Sequence, residues 1–145
     1  MSDMQTILIT GTSRGLGRGL ADYFCEHGAR VIGCSRSDAG FEHPNYQHFV
    51  TDLSDPAAIR AMFTEMRKQD ITVDVLILNA GWKKDALFLQ TPLADLEQSL
   101  THNTSGAFAW TRDAARMMRL SGGGRSMHLS ARALPMSLAG TRPAG

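Results

Sequence analysis

The stretch Thr6-Ile7-Leu8-Ile9-Thr10, with the turn Gly11-Thr12-Ser13-Arg14-Gly15-Leu16-Gly17 after it, decides the fold of this 145-residue chain. Its first part is a short apolar run of the kind that forms a parallel strand buried on both faces. Beyond the turn, Leu16, Leu20 and Phe24 lie four residues apart, on one face of a predicted helix. The sequence therefore predicts a strand, a glycine-rich turn and a helix in that order.

The three glycines of the turn fit a backbone that approaches a phosphate group closely. Gly11 allows the tight turn, Gly15 removes a side chain where phosphates would pass, and Gly17 lets the helix pack against the strand. Such a turn aims a helix N-terminus at its ligand, which favours a dinucleotide pyrophosphate. The alternative is a helix-opening loop that binds nothing.

Strand and helix patterns alternate along the rest of the chain. Further strands are predicted over 31–34, 48–50, 73–78 and 126–130. One helix starts at Pro56, with Ser54 or Asp55 as its cap and an apolar stripe at Ile59, Met62, Phe63 and Met66. A long helix starts at Pro92 and ends near Leu120, with a stripe at Leu93, Leu96, Leu100, Asn103 and Ala107.

This alternation predicts an α/β fold, a Rossmann-like doubly wound parallel sheet. We expect about five strands in the order 3-2-1-4-5. No repeat or linker divides the chain, so residues 1–145 are predicted to form a single domain. Residues 131–145 are expected to be irregular.

Two later segments agree with the glycine turn. Leu78-Asn79-Ala80-Gly81 follows the strongest predicted strand, and Asp52 follows the third. With the T-G-x-x-x-G-x-G spacing, these motifs resemble those of the short-chain dehydrogenase/reductase family, classical type, from Thr6 to Ser130. The resemblance implies an oxidoreductase that acts on CH–OH groups and transfers hydride between a nicotinamide cofactor and a carbonyl or alcohol substrate.

The resemblance also implies which residues bind the cofactor. An NAD-preferring enzyme usually has a carboxylate at the end of the second strand, whereas this chain has Ser35-Arg36-Ser37 there and no acid before Asp38. Arg36 and Arg14 are suited to a 2′-phosphate, so NADPH is favoured over NADH. The expected cofactor residues are Gly11, Ser13, Arg14, Gly15, Leu16, Gly17, Ser35, Arg36, Asp52, Leu53, Asn79, Ala80 and Gly81.

The catalytic set of the family is incomplete in this chain. Asn103 fits the family's helix Asn, and a polar residue on a buried stripe needs a hydrogen-bonding partner. The family's Ser aligns with Ala131, and Ser130, one residue earlier, is the candidate in its place, although a shift of one residue turns a strand side chain to the other face. The family's Tyr and Lys are absent, since the two tyrosines, Tyr23 and Tyr46, lie in the nucleotide-binding half.

These observations leave two hypotheses open. One is an NADP-dependent oxidoreductase whose C-terminus is truncated or altered, so that this chain is inactive by itself. The alternative is a non-catalytic dinucleotide-binding protein, or one that dimerises through its long helix. In both cases we expect a homo-oligomer, because the last strand would be an unpaired edge beside apolar surface.

Charge and composition exclude several other classes of protein. The formal charge of +1 argues against a general nucleic-acid binder. The sequence has no apolar run long enough to span a membrane, no signal peptide and no metal-ligand spacing among its five histidines and two cysteines. We therefore expect a cytoplasmic, metal-free protein. Six arginines and one acid in residues 98–145 could attract a polyanion, but a solvated helix face is the favoured interpretation.

Overall fold

The computed structural model describes residues 4–82, 84 and 86–130. Five strands form one parallel sheet in the order β3-β2-β1-β4-β5. The strands are β1 (Thr6–Thr10), β2 (Arg30–Ser35), β3 (Tyr46–Val50), β4 (Val75–Leu78) and β5 (Arg125–His128). The predicted Rossmann-like architecture and strand order are confirmed.

The helices lie on both faces of this sheet. They are α1 (Gly15–Glu26), α2 (Pro56–Lys68), α3 (Leu93–Leu100) and α4 (Gly106–Leu120), with a short 3-10 turn at Phe88–Gln90. A π-helical turn, Thr101–Ser105, joins α3 to α4, so the predicted long helix is one run with a widened turn inside it. Asp55 caps α2 by accepting the Ala57 N–H at 2.9 Å, which selects Asp55 over Ser54.

Two apolar layers hold the helices against the sheet. On one face, the predicted stripe of α2 packs with Leu8, Leu76 and the indole of Trp110, all buried. On the other face, α1 packs against Ile7 and Ile9 through its small residues Ala21 and Cys25. Cys25 and Cys34 are buried free thiols, and burial raises the pKa of Cys25 to about 11.

The prediction that the apolar stripe in the first half of the long helix is buried is wrong. Leu93, Leu96 and Leu100 are 69%, 52% and 52% exposed. The helix turns its core face to the sheet only within α4, where Ala109, Trp110, Ala114, Met117 and Met118 are buried. Helical periodicity identifies a common face, but burial also requires an element that covers that face.

The apolar face of α1 formed by Leu16, Leu20 and Phe24 is likewise not fully buried in the core. Leu16 is 63% exposed, and the three side chains line a groove of about 680 Å³ together with Ile77 of β4 and Met127 of β5. All four residues of β5 are exposed, because β4 is its only neighbour among the strands described.

Within the described ranges, no helix is both long and apolar enough to cross a bilayer. The same residues contain no group of three His, Cys, Asp or Glu side chains that could hold a metal ion.

Candidate nucleotide-binding site

The glycine turn lies at the carboxyl end of β1 and leads directly into α1. Gly11 and Gly15 have φ values of 77° and 62°, a region that side chains rarely adopt. The Gly11 N–H donates to the Cys34 carbonyl oxygen at 2.8 Å, which ties the turn to β2. Apart from its chain neighbours and the local helix backbone, no described residue has a heavy atom within 4 Å of the position a Cβ would take on Gly15, so this backbone faces open space at the start of the helix.

Gly17 has the opposite environment. A Cβ there would lie against the carbonyl oxygen of Gly11 and 2.9 Å from the Gly11 carbonyl carbon. The first turn of α1 is therefore packed directly on the glycine turn, which fixes the helix N-terminus relative to β1.

Asn79, directly after β4, connects β4 to the same turn. Its amide Nδ2 donates to the carbonyl oxygens of Thr10 and Gly11 at 3.2 and 3.3 Å. In return, the Thr10 hydroxyl oxygen accepts the N–H groups of Asn79 and Ala80, each at 3.1 Å. These four bonds hold the ends of β1 and β4 side by side and leave Ala80 and Gly81 facing the site.

A cavity of about 100 Å³ opens beside these strand ends. Five of the predicted cofactor residues line it, namely Arg36, Asp52, Leu53, Ala80 and Gly81. The sequence-based prediction omitted other residues that line it, among them Thr10, His102 and Trp110. His102 and Trp110 reach the cavity because of the way the π turn and α4 cross the sheet. No local sequence pattern indicates that crossing.

The remaining predicted cofactor residues lie outside this cavity. Ser13 and Arg14 belong to the glycine turn, Leu16 faces the groove on the other side of the sheet, and Ser35 is buried at the end of β2. Arg14 and Arg36 are both exposed, and neither makes an ion pair with another described residue.

Asp52 is the acidic group at the rim of the cavity. The Ser54 N–H and hydroxyl donate to its Oδ1 at 3.0 and 2.8 Å. These two bonds, with a smaller contribution from the charges of His102 and Arg36, hold the pKa of Asp52 below its usual value. The carboxylate therefore stays ionised and accepts hydrogen bonds at neutral pH.

Asn103 lies in the π-helical turn, and it is exposed rather than on a buried stripe. Its Oδ1 accepts the Trp82 N–H at 2.9 Å and its Nδ2 donates to the Trp82 carbonyl oxygen at 2.8 Å. The hydrogen-bonding partner of Asn103 is therefore the backbone of Trp82, shortly after β4. These two bonds hold the Gly81–Trp82 segment in place. A π turn widens a helix by one residue and is frequent at functional sites.

Ser130 follows β5 and is exposed. Ala131, the position that the family alignment gives to the catalytic Ser, lies outside the described residues, as does the 131–145 segment expected to be irregular. Tyr23 lies on the exposed face of α1, and the hydroxyl of Tyr46 lies under the glycine turn, bonded to Thr12 at 2.8 Å. The structure therefore brings no tyrosine hydroxyl into contact with Asn103 among the residues it describes.

A polar cluster under the turn was not predicted from the sequence. It joins Thr12, Ser35, Tyr46 and His48 by side-chain hydrogen bonds. The alternation of Tyr46 and His48 along β3 indicates that both point to one face, and this is the sequence signal that could have found the cluster.

The fold and this site together define a doubly wound α/β protein whose strand ends suit a nucleotide. A doubly wound parallel sheet carries a glycine turn into a helix N-terminus, with Arg14 in the turn itself and Arg36 at the end of the neighbouring strand. The open space at Gly15 can accept a phosphate against backbone N–H groups, so the residues present fit a dinucleotide.

The chain belongs to the short chain dehydrogenase family, whose family model matches residues 5–141. An uncharacterized oxidoreductase of Schizosaccharomyces pombe is 31% identical over 132 residues, which cover 89% of this chain and 45% of that protein. The 3-oxoacyl-(acyl-carrier-protein) reductase FabG of Escherichia coli is 30% identical over 117 residues, 77% of this chain and 48% of the reductase. The chain thus spans about half the length of these curated relatives.

Solved structures share the fold. A short chain dehydrogenase of Leptospira borgpetersenii with bound NAD+ has a TM-score of 0.81 at 21% identity, over 86% of this chain and 50% of that one. ElxO with NADP bound has a TM-score of 0.79 at 23% identity, over 88% of this chain and 56% of that one. The neighbours include both cofactors, so the fold alone leaves the choice between them open.

Proposed function

We propose that this chain is the nucleotide-binding domain, over residues 1–145, of an NADP-dependent oxidoreductase acting on CH–OH groups, and that it binds NADPH in preference to NADH. One observation carries the cofactor preference. The end of β2 presents Arg36, an exposed guanidinium without an ion pair to any described residue, where an NAD enzyme usually has a carboxylate. Arg14 adds a second positive charge from the glycine turn.

The residues have separable roles in this proposal. Gly11, Gly15 and Gly17 shape the backbone that receives the pyrophosphate, and Ser13 and Leu16 belong to the same turn. Arg36 and Arg14 pair with the 2′-phosphate beside Ser35. Asp52 and Leu53 border the adenine side of the cavity, Ala80 and Gly81 line it, and Asn79 holds that segment against the glycine turn. The bound nicotinamide would supply hydride, while these residues bind and orient it.

The proposal separates binding from catalysis. Asn103 is proposed to organise the catalytic end of the site, and Ser130 to contact a substrate oxygen. A general acid within hydrogen-bond reach of that oxygen is also required. These 145 residues contain no Tyr followed four residues later by Lys. We therefore expect this chain alone to bind NADPH without reducing carbonyl compounds, which agrees with the alternative of a non-catalytic binding protein.

The partners and location belong to the same proposal. The exposed leucines of α3 support a homo-oligomer formed partly through the long helix. We expect the complete enzyme to act on a small carbonyl or alcohol compound, and we expect no nucleic-acid or membrane partner. Two free thiols support a cytoplasmic location.

Titration calorimetry of the 145-residue chain tests the cofactor preference. We expect saturable NADPH binding that is tighter than NADH binding. Arg36→Ala should weaken NADPH binding by roughly tenfold or more and leave NADH binding nearly unchanged, because only NADPH loses a charge-assisted hydrogen bond. Arg60→Ala, which removes an exposed arginine of α2, is the matched control and should change neither.

Two results would contradict the proposal. Equal affinities for both cofactors in the unmodified chain would exclude a 2′-phosphate site. NADPH consumption with a simple ketone above the no-protein rate would exclude the separation of binding from catalysis.

A further inference from the structure

The polar cluster under the glycine turn connects the two loops that carry the arginines. The Tyr46 hydroxyl lies 2.8 Å from Thr12 Oγ1 and 2.7 Å from His48 Nδ1. The other ring nitrogen of His48, Nε2, lies 3.0 Å from Ser35 Oγ and 2.9 Å from the Ser37 carbonyl oxygen. Thr12 is fully buried inside the glycine turn, and Ser35 ends β2.

The Ser37 carbonyl oxygen determines the direction of these hydrogen bonds. A carbonyl oxygen only accepts, so His48 Nε2 must carry the hydrogen that it donates there. In the neutral ring Nδ1 is then an acceptor, and Tyr46 must donate its hydroxyl hydrogen to it. The Thr12 hydroxyl in turn donates to the Tyr46 oxygen, and every member of the chain has a partner.

Gly33 of β2 provides the space for this chain of bonds. A Cβ on Gly33 would clash with the hydroxyl oxygens of both Tyr46 and Thr12. Any larger residue at this position would separate β3 from the glycine turn. The glycine inside an otherwise apolar strand therefore has a specific purpose in this sequence.

The bonds at Ser35 and Ser37 lie on either side of Arg36. His48 contacts the Ser35 hydroxyl and the Ser37 carbonyl, while the Ser35 hydroxyl donates to the same carbonyl at 2.6 Å. From the opposite side, the Arg18 guanidinium donates to the Ala39 carbonyl oxygen at 3.0 Å. The segment that presents Arg36 is thus held at the Ser35 side chain before it and at the Ser37 and Ala39 carbonyl oxygens after it.

We propose that His48 is a positioning residue for cofactor selectivity, which holds the Ser35–Ser37 turn in the conformation that presents Arg36 to a 2′-phosphate and links that turn, through Tyr46, to Thr12 of the glycine turn. This inference rests on the proposed NADPH site. It adds that the preference for NADPH depends on a side chain of β3 that does not touch the cofactor.

The test compares the ratio of NADPH to NADH affinity, measured by calorimetry, in the 145-residue chain and its variants. His48→Leu removes the donor to Ser37, and loss of one such bond is expected to lower the affinity ratio about fivefold. His48→Gln keeps an N–H donor and an oxygen acceptor on a planar group, and it should stay within about twofold of the unmodified ratio. A merely structural role would weaken both cofactors equally and leave the ratio unchanged.

Gln47 provides the matched control on the same strand. Its side chain bonds Gln69 and Arg30, away from the Arg36 turn. Gln47→Leu removes a polar group from β3, as His48→Leu does, and should leave the affinity ratio unchanged. If His48→Leu fails to fold, Tyr46→Phe removes only the hydroxyl bridge and should shift the ratio in the same direction.

The possible results distinguish a failure of the His48 positioning role from a failure of the proposed NADPH preference. An unmodified chain with no NADPH preference overturns both. A preference that persists in His48→Leu and Tyr46→Phe overturns the positioning role alone. Nitrogen-15 NMR of labelled histidine provides a readout without cofactor: we expect the His48 neutral ring to carry its hydrogen on Nε2, and hydrogen on Nδ1 would refute the bond direction.

Discussion

The contact between Gly17 and Gly11 gives the sharpest test of how the site is built. A Cβ on Gly17 would press on the backbone carbonyl of Gly11, which cannot move aside by changing rotamer. Overpacking of this kind costs roughly 1–3 kcal/mol or more. Replacing glycine by alanine within a helix returns about 1 kcal/mol. Because the contact is with backbone, the cost lies in the upper part of that range, about 2–3 kcal/mol, so Gly17→Ala should lower the free energy of unfolding by about 1–2 kcal/mol.

Gly19 is the matched control in the same helix. It has ordinary helical backbone, and apart from the local helix backbone no described residue has a heavy atom within 4 Å of the position a Cβ would take there. Gly19→Ala should gain helix propensity without a clash and raise the free energy of unfolding by up to about 1 kcal/mol. The two substitutions are chemically identical, and the structure predicts opposite signs for them.

Urea unfolding followed by circular dichroism measures both effects. With a slope near 2 kcal/mol per molar urea, the midpoint should fall by about 0.5–1 M in Gly17→Ala and rise by up to about 0.5 M in Gly19→Ala. A midpoint for Gly17→Ala equal to or above that of the unmodified chain would refute the close packing of α1 on the turn. Equal losses in both variants would show a general intolerance of alanine in this helix.

Three further predictions concern the rim of the site and the exposed surfaces. Asn103→Ala removes both bonds to the Trp82 backbone and should cost about 1–2 kcal/mol of unfolding free energy; a urea midpoint unchanged from that of the original chain would exclude those bonds. The pKa of Asp52 is lower in the folded chain than its ordinary value of 3.8, so the ionised carboxylate stabilises the fold at pH values above 3.8. This contribution to stability disappears as the pH falls through the lower pKa of the folded state. Asp52→Asn should therefore make stability less dependent on pH below about 4, and an identical acid profile would argue against the bonds from Ser54. The chain should also self-associate through its exposed apolar surfaces, and light scattering of a clean monomer at tens of micromolar would contradict this.

Much of the fold could be predicted because local chemistry specifies it. The run Thr6–Thr10 reads as a buried strand, Asp55 and Pro56 begin a helix, and the stripe from Ile59 to Met66 is buried as its spacing indicates. Asn79 also follows β4 as its motif suggests. In each case the deciding residues are neighbours in sequence, so the pattern contains the required information.

The leucines of α3 mark the limit of that reasoning. Their spacing is as regular as that of α2, yet they are exposed, because the sheet and its covering helices do not extend over them within the described residues. Helical periodicity predicts which side chains share one face of a helix. The arrangement of the other helices and strands decides whether that face is buried.

The sequence by itself determined the order of the elements, the parallel sheet and the glycine turn, since these depend on short-range patterns and on the backbone freedom of glycine. Only the tertiary structure decided how the site is assembled. Asn103 finds its partner twenty-one residues away at Trp82, and Thr12 finds Tyr46 thirty-four residues away. Such contacts depend on strand register and helix placement, which arise when the whole chain packs and which no local segment specifies.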